Sequence, residues 1–391
     1  MFDFDKPVDR RQTQSLKWDK YGDKDVLPLW VADTDFEAAP CIIDAMQQRI
    51  AHGVFGYSRP SPRLKSLIIE RMHSRYGWQI EPEWLIFMPG VVPGLNFACR
   101  AWCRDDRQVI TPTPVYYPFL HAPGYNDRSV AHLPMVLAAD NRWLPDFEKL
   151  EELASNADLL LLCNPHNPGG TVFRRDELER IADIARRHDL VVCSDEIHCD
   201  LLLQPELQHI PFASINSDAA SRSAVLMAPS KTFNIPGLCC SFAIIPDPKL
   251  RSKLQHAMRG LMADNNLIGF IAAEAAYADG ESWLQTQLSY LRDNRDLVIS
   301  MLGSIPGVAI ANIEATYLAW IDISAIGMED PIAEFEAGGV GLSPGQQFGD
   351  KRFVRLNFGC RRELLCEALK RMQQVLQTYT DKKMPLQGVE R

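Results

Sequence analysis

Short apolar runs alternate with helix-like spacing along most of this chain. From residue 84 onward, β-branched and other apolar residues cluster at 84–88, 108–111, 159–163, 190–194, 224–227 and 240–245. Between these runs, apolar positions recur at the spacing of amphipathic helices, most clearly at 176–188, where an acidic first turn follows Arg174 and Arg175. Two earlier stretches, 40–53 and 61–76, have the same helical spacing. The alternation predicts a largely parallel sheet covered by helices.

The last third of the chain follows a different pattern. A long amphipathic stretch at 266–302 precedes strand-like segments at 317–323 and 353–357, a Gly/Pro-rich loop at 338–349 and a closing helix at 362–378. Because 391 residues exceed the usual size of a single core, two domains are expected. We expect residues 1–45 to join a small domain, 46–285 to form a large domain and 286–391 to form a small α+β domain. The polar residues 381–391 are expected to fray.

Composition narrows the class of protein. The chain is 46% hydrophobic and 23% charged, as in an ordinary globular protein, and its net charge of -9 argues against a nucleic-acid or anionic-membrane surface. We expect no membrane partner, because no apolar run approaches the roughly 18 residues that a membrane helix needs. The start of the chain has neither the basic residues nor the apolar core of a secretory signal, so we expect a cytoplasmic protein.

The ten cysteines are scattered, mostly among apolar residues, which favours reduced thiols over a disulfide framework. Cys193, His198 and Cys199 lie close together in sequence, but no second Cys/His pair occurs at zinc-finger spacing. We therefore expect no metal.

Two apolar runs each precede a residue with useful chemistry. The run Val191 to Ser194 is followed by Asp195, and a second run at 224–227 is followed closely by Lys231. Parallel strands of this kind deliver such residues to a crevice at one edge of the sheet. Pyridoxal 5'-phosphate requires both groups, a lysine amine for a Schiff base and a carboxylate that keeps the pyridine nitrogen protonated. Taken singly, Asp195 could be a helix cap or turn residue and Lys231 a surface charge.

Three further motifs fit the same cofactor. Gly90 and its neighbours precede a helix-like stretch at 95–102, and a Gly turn that opens a helix offers backbone N–H groups to a phosphate. Tyr116 lies in an aromatic cluster after the run at 108–111, where a ring can stack on a flat cofactor. Asn167 lies in the turn Asn-Pro-His-Asn-Pro-Gly-Gly, and its amide could donate to a ring oxygen. Each motif alone is also compatible with a simple turn.

Three longer motifs follow these along the chain: Ser-Asp-Glu-Ile-His at 194–198, Pro-Ser-Lys-Thr-Phe-Asn at 229–234 and Phe-Val-Arg-Leu-Asn-Phe-Gly at 353–359. In this order, the whole set of motifs resembles the fold type I, aspartate-aminotransferase-like superfamily of pyridoxal-phosphate enzymes. Val-Ala-Asp-Thr-Asp-Phe at 31–36 and Gly-Val-Phe-Gly-Tyr-Ser at 53–58 are similar to the MalY/PatB-type cystathionine β-lyases, also described as cysteine-S-conjugate β-lyases. The resemblance implies an α/β fold with a mainly parallel sheet of the seven-stranded type between helices, plus a smaller C-terminal α+β domain.

The resemblance also implies a role for each matching residue. Lys231 would bind the cofactor covalently and Asp195 would pair with its pyridinium nitrogen. Other cofactor contacts would come from Asn167, His198, Tyr116, Gly90, Val91, Val92 and Ser230. In a homodimer with shared active sites, Tyr57 would reach the cofactor phosphate of the neighbouring subunit. Arg355 would bind the substrate carboxylate through a bidentate contact that lysine cannot make, with Asn167 and Asp33 also on the substrate side.

The chain departs from the wider pattern at three positions. Ala228 and Cys239 occupy positions where many aminotransferases have a phosphate-binding Ser and Arg, and Thr34 stands where the subgroup commonly has Met. The resemblance implies α,β-elimination from cystathionine or a related cysteine S-conjugate, giving a thiol, pyruvate and ammonia. An aminotransferase and a regulatory protein that retains the cofactor site remain the alternatives.

Overall fold

The computed structural model describes residues 2–262 and 265–383. The expected frayed end at 381–391 lies outside the described residues from position 384 onward, and the last helix continues through Lys383.

Helices form at each stretch with predicted helical spacing, and further helices lie between them. Within the described residues, the α-helices are α1 Leu16–Asp19, α2 Pro40–Ala51, α3 Pro62–Tyr76, α4 Val91–Trp102, α5 Tyr117–Tyr125, α6 Phe147–Ala154, α7 Arg175–Arg187, α8 Ser217–Ser221, α9 Pro229–Thr232, α10 Pro248–Met258, α11 Leu267–Asp279, α12 Glu281–Leu302, α13 Pro331–Ala337 and α14 Arg362–Lys383.

The strands are β1 Leu27–Pro28, β2 Leu85–Met88, β3 Gln108–Thr113, β4 Ser129–Leu137, β5 Trp143–Pro145, β6 Ala157–Cys163, β7 Val191–Asp195, β8 Ser223–Met227, β9 Ser241–Ile244, β10 Ala309–Ile310, β11 Leu318–Asp322, β12 Val340–Gly341, β13 Ser343–Pro344 and β14 Phe353–Asn357.

The large sheet has the strand order β2-β9-β8-β7-β6-β3-β4-β5. Its centre, from β4 through β3, β6 and β7 to β8, is parallel, whereas β9 runs antiparallel to both of its neighbours. The mainly parallel sheet between helices is therefore confirmed, with eight strands in the described residues where seven were expected. Strands β4 and β5, which extend one side of the sheet, were not predicted from the sequence.

Alternate residues of the central strands enter different cores. Leu159 and Leu161 of β6 pack with α4 residues on one face, and Leu160 and Leu162 pack with α7 residues on the other. Burial on both faces explains why these strands are continuous apolar runs in the sequence. It also leaves their carboxyl ends as the places where polar side chains can reach a ligand.

A second, four-stranded antiparallel sheet has the order β10-β11-β14-β13. The predicted strand at 353–357 is β14, and 317–323 contains β11. The N-terminal strand β1 pairs in parallel with β12, so the chain start lies against this region. The core around this sheet also includes Phe4 and Phe36 from the first forty residues and Leu369 from α14.

The long amphipathic stretch at 266–302 forms two helices. It is divided at Gly280 into α11 and α12. A Cβ at position 280 would lie 2.4 Å from the Ala276 carbonyl oxygen and 2.6 Å from the Phe233 ring, so the chain turns where no side chain would fit. Among the described residues, no helix has both the length and the apolar character needed to cross a bilayer.

Candidate active site

A cavity of about 170 Å³ opens at the carboxyl ends of the central strands. This edge is where ligands bind in open α/β sheets. Residues predicted for the cofactor site line it together: Gly90, Val91, Val92, Tyr116, Asn167, Asp195, His198, Ser230 and Lys231. The sheet topology thus brings together residues that are far apart in the sequence.

Asp195 is the last residue of β7 and is buried. Its Oδ1 accepts a hydrogen bond from the Ile197 backbone N–H at 3.0 Å. Burial raises the pKa of the Asp195 carboxyl to about 7, with the neighbouring Glu196 adding to the rise and Lys231 opposing it. The side chain is therefore a desolvated carboxylate without a full counter-charge, which a cationic ring nitrogen would stabilise.

A fully buried group of side chains supports the Asp195 turn from behind. Glu196 Oε1 accepts hydrogen bonds from the Ser194 hydroxyl at 2.8 Å and the Phe212 backbone N–H at 2.9 Å. Its Oε2 lies 2.6 Å from His209 Nε2. This arrangement was not predicted, and its one signal in the sequence is the acidic residue directly after Asp195.

Lys231 lies in α9, the single helical turn that follows β8. Its Nζ donates a hydrogen bond to the Ala32 carbonyl oxygen at 2.6 Å. Burial lowers the pKa of the Lys231 ammonium to about 8, with Arg355 lowering it further and Asp33 and Asp195 opposing. A lysine with this pKa exists partly as the free amine near neutral pH, as nucleophilic and general-base roles require.

Asn167 connects the cofactor side of the cavity with Arg355. Its backbone carbonyl accepts from the Tyr116 N–H at 3.0 Å, and its Oδ1 accepts from Arg355 Nη1 at 3.2 Å. His198 lies in the same wall, and burial lowers the pKa of its imidazole to about 3, so the ring is neutral at physiological pH. Tyr116 presents a phenol whose pKa is raised by burial.

The N-terminus of α4 forms one end of the cavity. Gly90 is its N-cap and carries no capping side chain, so the first-turn N–H groups are available to a ligand. Ser230 adds a hydroxyl, and the departures Ala228 and Cys239 also line the cavity. Backbone dipoles and hydroxyls are therefore the donors that this end offers to a phosphate.

Arg355 lies in β14 and is buried. Its Nη2 donates to the Trp30 carbonyl oxygen at 2.8 Å, and its guanidinium lies 4.6 Å from the centre of the Phe348 ring. Burial lowers the pKa of Arg355 to about 10, although it remains charged at neutral pH. Its Nε is buried and has no hydrogen-bond partner. The guanidinium thus has unused donor capacity for an anion.

Three predicted residues are not among those that line this cavity: Arg355, which reaches it only through Asn167, and Asp33 and Tyr57. Asp33 pairs with Arg10, with Asp33 Oδ2 2.5 Å from Arg10 Nη2, while its other oxygen is buried without a partner. Tyr57 is fully exposed in a segment that also exposes Val54 and Phe55. Within one subunit, Tyr57 therefore contributes nothing to the cavity.

The residues present fit pyridoxal phosphate. The cavity contains a lysine with a lowered pKa, a buried carboxylate that needs a cationic partner, and a helix N-terminus. His198 Nδ1 and Arg355 Nε are buried polar atoms without partners, as expected where a polar ligand completes the hydrogen bonding.

Comparison with known proteins gives the same assignment. The family model for aminotransferase class I and II matches residues 24–372. The chain is 39% identical over 386 residues to cystathionine β-lyase PatB of Bacillus subtilis (strain 168), covering 95% of this chain and 99% of that protein. This chain belongs to the aminotransferase class I and II family.

Solved structures agree along nearly the whole length. The crystal structure of OvoB superposes with a TM-score of 0.94 at 52% identity and covers 96% of this chain and 99% of that one. Cystalysin from Treponema denticola, whose crystal structure contains pyridoxal 5'-phosphate, gives a TM-score of 0.92 at 33% identity, covering 97% and 99% of the two chains. The predicted family and fold class are confirmed.

One wall of the site was not predicted from the sequence. Ala32 lines the cavity, and its carbonyl oxygen accepts hydrogen bonds from both Lys231 Nζ and the Tyr317 hydroxyl, the latter at 3.0 Å. In the sequence, the motif at 31–36 indicates only a family resemblance. Its contribution here is through main-chain atoms, which side-chain identity does not reveal.

Proposed function

We propose that this protein is a pyridoxal-phosphate-dependent C–S β-lyase that acts on cystathionine or a related cysteine S-conjugate. The observation that carries the proposal is that Lys231 and buried Asp195 line one cavity, and that buried Arg355 is hydrogen-bonded to Asn167 in the wall of the same cavity. Similarity to a protein named cystathionine β-lyase over almost the full length supports the elimination reaction, and the cofactor-containing structure of cystalysin supports the cofactor.

The bound cofactor would supply an electron sink for the negative charge that develops at the substrate Cα. Lys231 would hold it between turnovers, and Asp195 would keep its ring nitrogen protonated. Asn167 and His198 would contact the ring, and Tyr116 would stack on it. Gly90, Val91, Val92 and Ser230 would hold its phosphate.

The side chains around the substrate have separable tasks. Arg355, steadied by Asn167 and the Trp30 carbonyl, binds the α-carboxylate. Asp33 would lie on the substrate side. The free amine of Lys231 takes the proton from Cα, because its lowered pKa makes it a competent base near neutral pH. The C–S bond at Cβ then breaks, a thiolate leaves, and the three-carbon remainder is hydrolysed to pyruvate and ammonia.

An aminotransferase would use the same residues up to removal of the Cα proton. The two reactions are separated by incubating the purified protein with cystathionine and a 2-oxo acid acceptor, and measuring pyruvate, free thiol and newly formed amino acid. We expect pyruvate and thiol at the same rate with and without the acceptor. Formation of amino acid that depends on the acceptor, without thiol, would identify an aminotransferase instead.

We further propose a cytoplasmic homodimer in which each active site receives Tyr57 from the partner. The exposed apolar side chains of Val54, Phe55 and Tyr57 support an interface at this segment, because such a patch is costly to leave in water. Tyr57→Phe subunits mixed with Lys231→Ala subunits would test the proposal. Shared sites predict one site with both lesions and one with neither, so activity should exceed that of either parent. Activity no higher than the parents would contradict sharing.

A further inference from the structure

The segment 30–36 forms a wall of the active site that presents main-chain atoms to it. The Trp30 carbonyl accepts from Arg355, and the Ala32 carbonyl accepts from Lys231 and Tyr317. Both residues that would handle the substrate therefore touch this wall directly. Its position must be set by whatever holds the backbone between these carbonyls.

Two asparagine side chains hold the wall. Asn357 lies two residues after Arg355 in β14, and its Nδ2 donates to the carbonyl oxygens of Val31 at 2.6 Å and Asp33 at 2.7 Å. Its Oδ1 accepts from the Gly359 N–H at 2.7 Å, so every polar group of this fully buried amide has a partner.

Asn234 holds the other end. It lies three residues after Lys231, and its Nδ2 donates to the carbonyl oxygens of Thr34 at 3.0 Å and Phe36 at 2.8 Å. Its Oδ1 accepts from the Thr34 N–H at 3.0 Å. Asn234 has a positive φ of 54°, a left-handed conformation that Asn and Asp adopt more readily than most residues. Its backbone conformation and its amide both suit this contact.

We propose that Asn234 and Asn357 are positioning residues that clamp the 30–36 wall between the lysine-bearing turn and the arginine-bearing strand, and so set the site for amino-acid binding. This inference rests on the proposed function. Neither asparagine lines the cavity, so each acts through the wall's carbonyl groups. Loss of either clamp should weaken substrate binding and leave cofactor attachment intact.

Asn234→Asp tests the clamp with little change of shape. The substitution tolerates the positive φ but replaces an N–H donor with a carboxylate oxygen that faces two carbonyls, so the contact becomes repulsive. Asn126→Asp is the matched control, because Asn126 Nδ2 also donates to two acceptors, Asn96 Oδ1 at 2.9 Å and the Ala122 carbonyl at 2.8 Å, away from the cavity.

The measurements are cofactor content per subunit, KM and kcat with cystathionine, and the Kd of L-alanine from the change in visible absorbance. L-alanine has no leaving group, so its binding is measured whether or not the protein eliminates. In Asn234→Asp we expect KM and Kd to rise at least tenfold, with cofactor content unchanged and kcat within about threefold of the wild type. Asn126→Asp should change neither constant.

Unchanged KM and Kd in Asn234→Asp would overturn the clamp, as would equal changes in the control. If Asn234→Asp does not fold, Asn234→Gly removes the amide while keeping the positive φ. Asn357→Asp tests the other end of the wall, with the same expected result: raised KM and Kd, and nearly unchanged kcat and cofactor content. A wild type that binds L-alanine but forms no pyruvate from cystathionine would refute the proposed lyase and leave the clamp testable through Kd.

Discussion

The charge of Asp195 gives a quantitative prediction for the cofactor-free protein. Its carboxyl has a pKa near 7, against 3.8 for an ordinary Asp, because burial disfavours the charged form. The folded state therefore binds a proton that the unfolded state has already released between these two pH values. It follows that the stability contribution of Asp195 is greatest at low pH and falls as the pH rises from about 4 to about 7.

The size of the effect follows from the two pKa values. Relative to low pH, ionisation of Asp195 lowers the free energy of unfolding by about 2 kcal/mol at roughly pH 5 and by about 4 kcal/mol at roughly pH 8. The second value is close to the maximum that the difference between the two pKa values allows. Asp195→Asn removes the titration, and its amide oxygen can still accept from the Ile197 N–H. When the pH is raised from roughly 5 to roughly 8, the free energy of unfolding of the wild type should therefore fall by about 2 kcal/mol relative to that of the variant.

The assay is urea unfolding of both proteins after removal of the cofactor, at the two pH values and one fixed protein concentration. Other titrations of the site, including that of His198, are present in both proteins and largely cancel in the comparison. With cofactor bound, the cationic ring nitrogen should abolish the difference in pH dependence. Equal pH dependence of the two cofactor-free proteins would refute the reasoning that Asp195 is a desolvated carboxylate awaiting a cation.

Two further predictions concern the reacting residues. Lys231→Ala should lose the yellow colour and the visible absorbance band that borohydride abolishes in the wild type; a normal band in this variant would assign covalent attachment to another residue. Arg355→Lys should raise KM for amino-acid substrates by roughly tenfold or more, since an ammonium cannot make two parallel bonds to a carboxylate. Wild type should discriminate strongly against the substrate carboxamide and the lysine variant much less, and equal discrimination would show that Arg355 does not bind the carboxylate.

Residues at strand ends could be predicted because the signal for them is local. A mostly apolar run that stops at Asp195 indicates a buried strand and the edge at which it ends, and the run before Lys231 gives the same information. The structure brings both side chains to one cavity. The α4 N-terminus follows in the same way from Gly90 after β2.

The wall at 30–36 could not be predicted from these signals. Its contacts to Lys231 and Arg355 use backbone carbonyls, and any residue type carries a carbonyl. The partners lie far apart in sequence, so no local pattern connects them. Strands β4 and β5 were missed for a different reason: β4 contains Pro134, which weakens a strand pattern, and β5 is only three residues long.

Some sequence expectations stay predictions. One is the placement of domain boundaries after residues 45 and 285, although residues among the first forty do pack in the core beside the small sheet. The reach of Tyr57 into a partner subunit is another, because its contact would lie outside the single chain.

The central claim, elimination with loss of a thiol, is tested most directly by the mass balance of one reaction. Purified holoenzyme is incubated with cystathionine and no oxo acid, and cystathionine consumed, thiol, pyruvate and ammonia are each measured over many turnovers. We expect one thiol, one pyruvate and one ammonia for each cystathionine consumed, with the visible absorbance band of the holoenzyme unchanged at the end. Consumption that stops after about one substrate per active site, with loss of that band and no thiol, would contradict it.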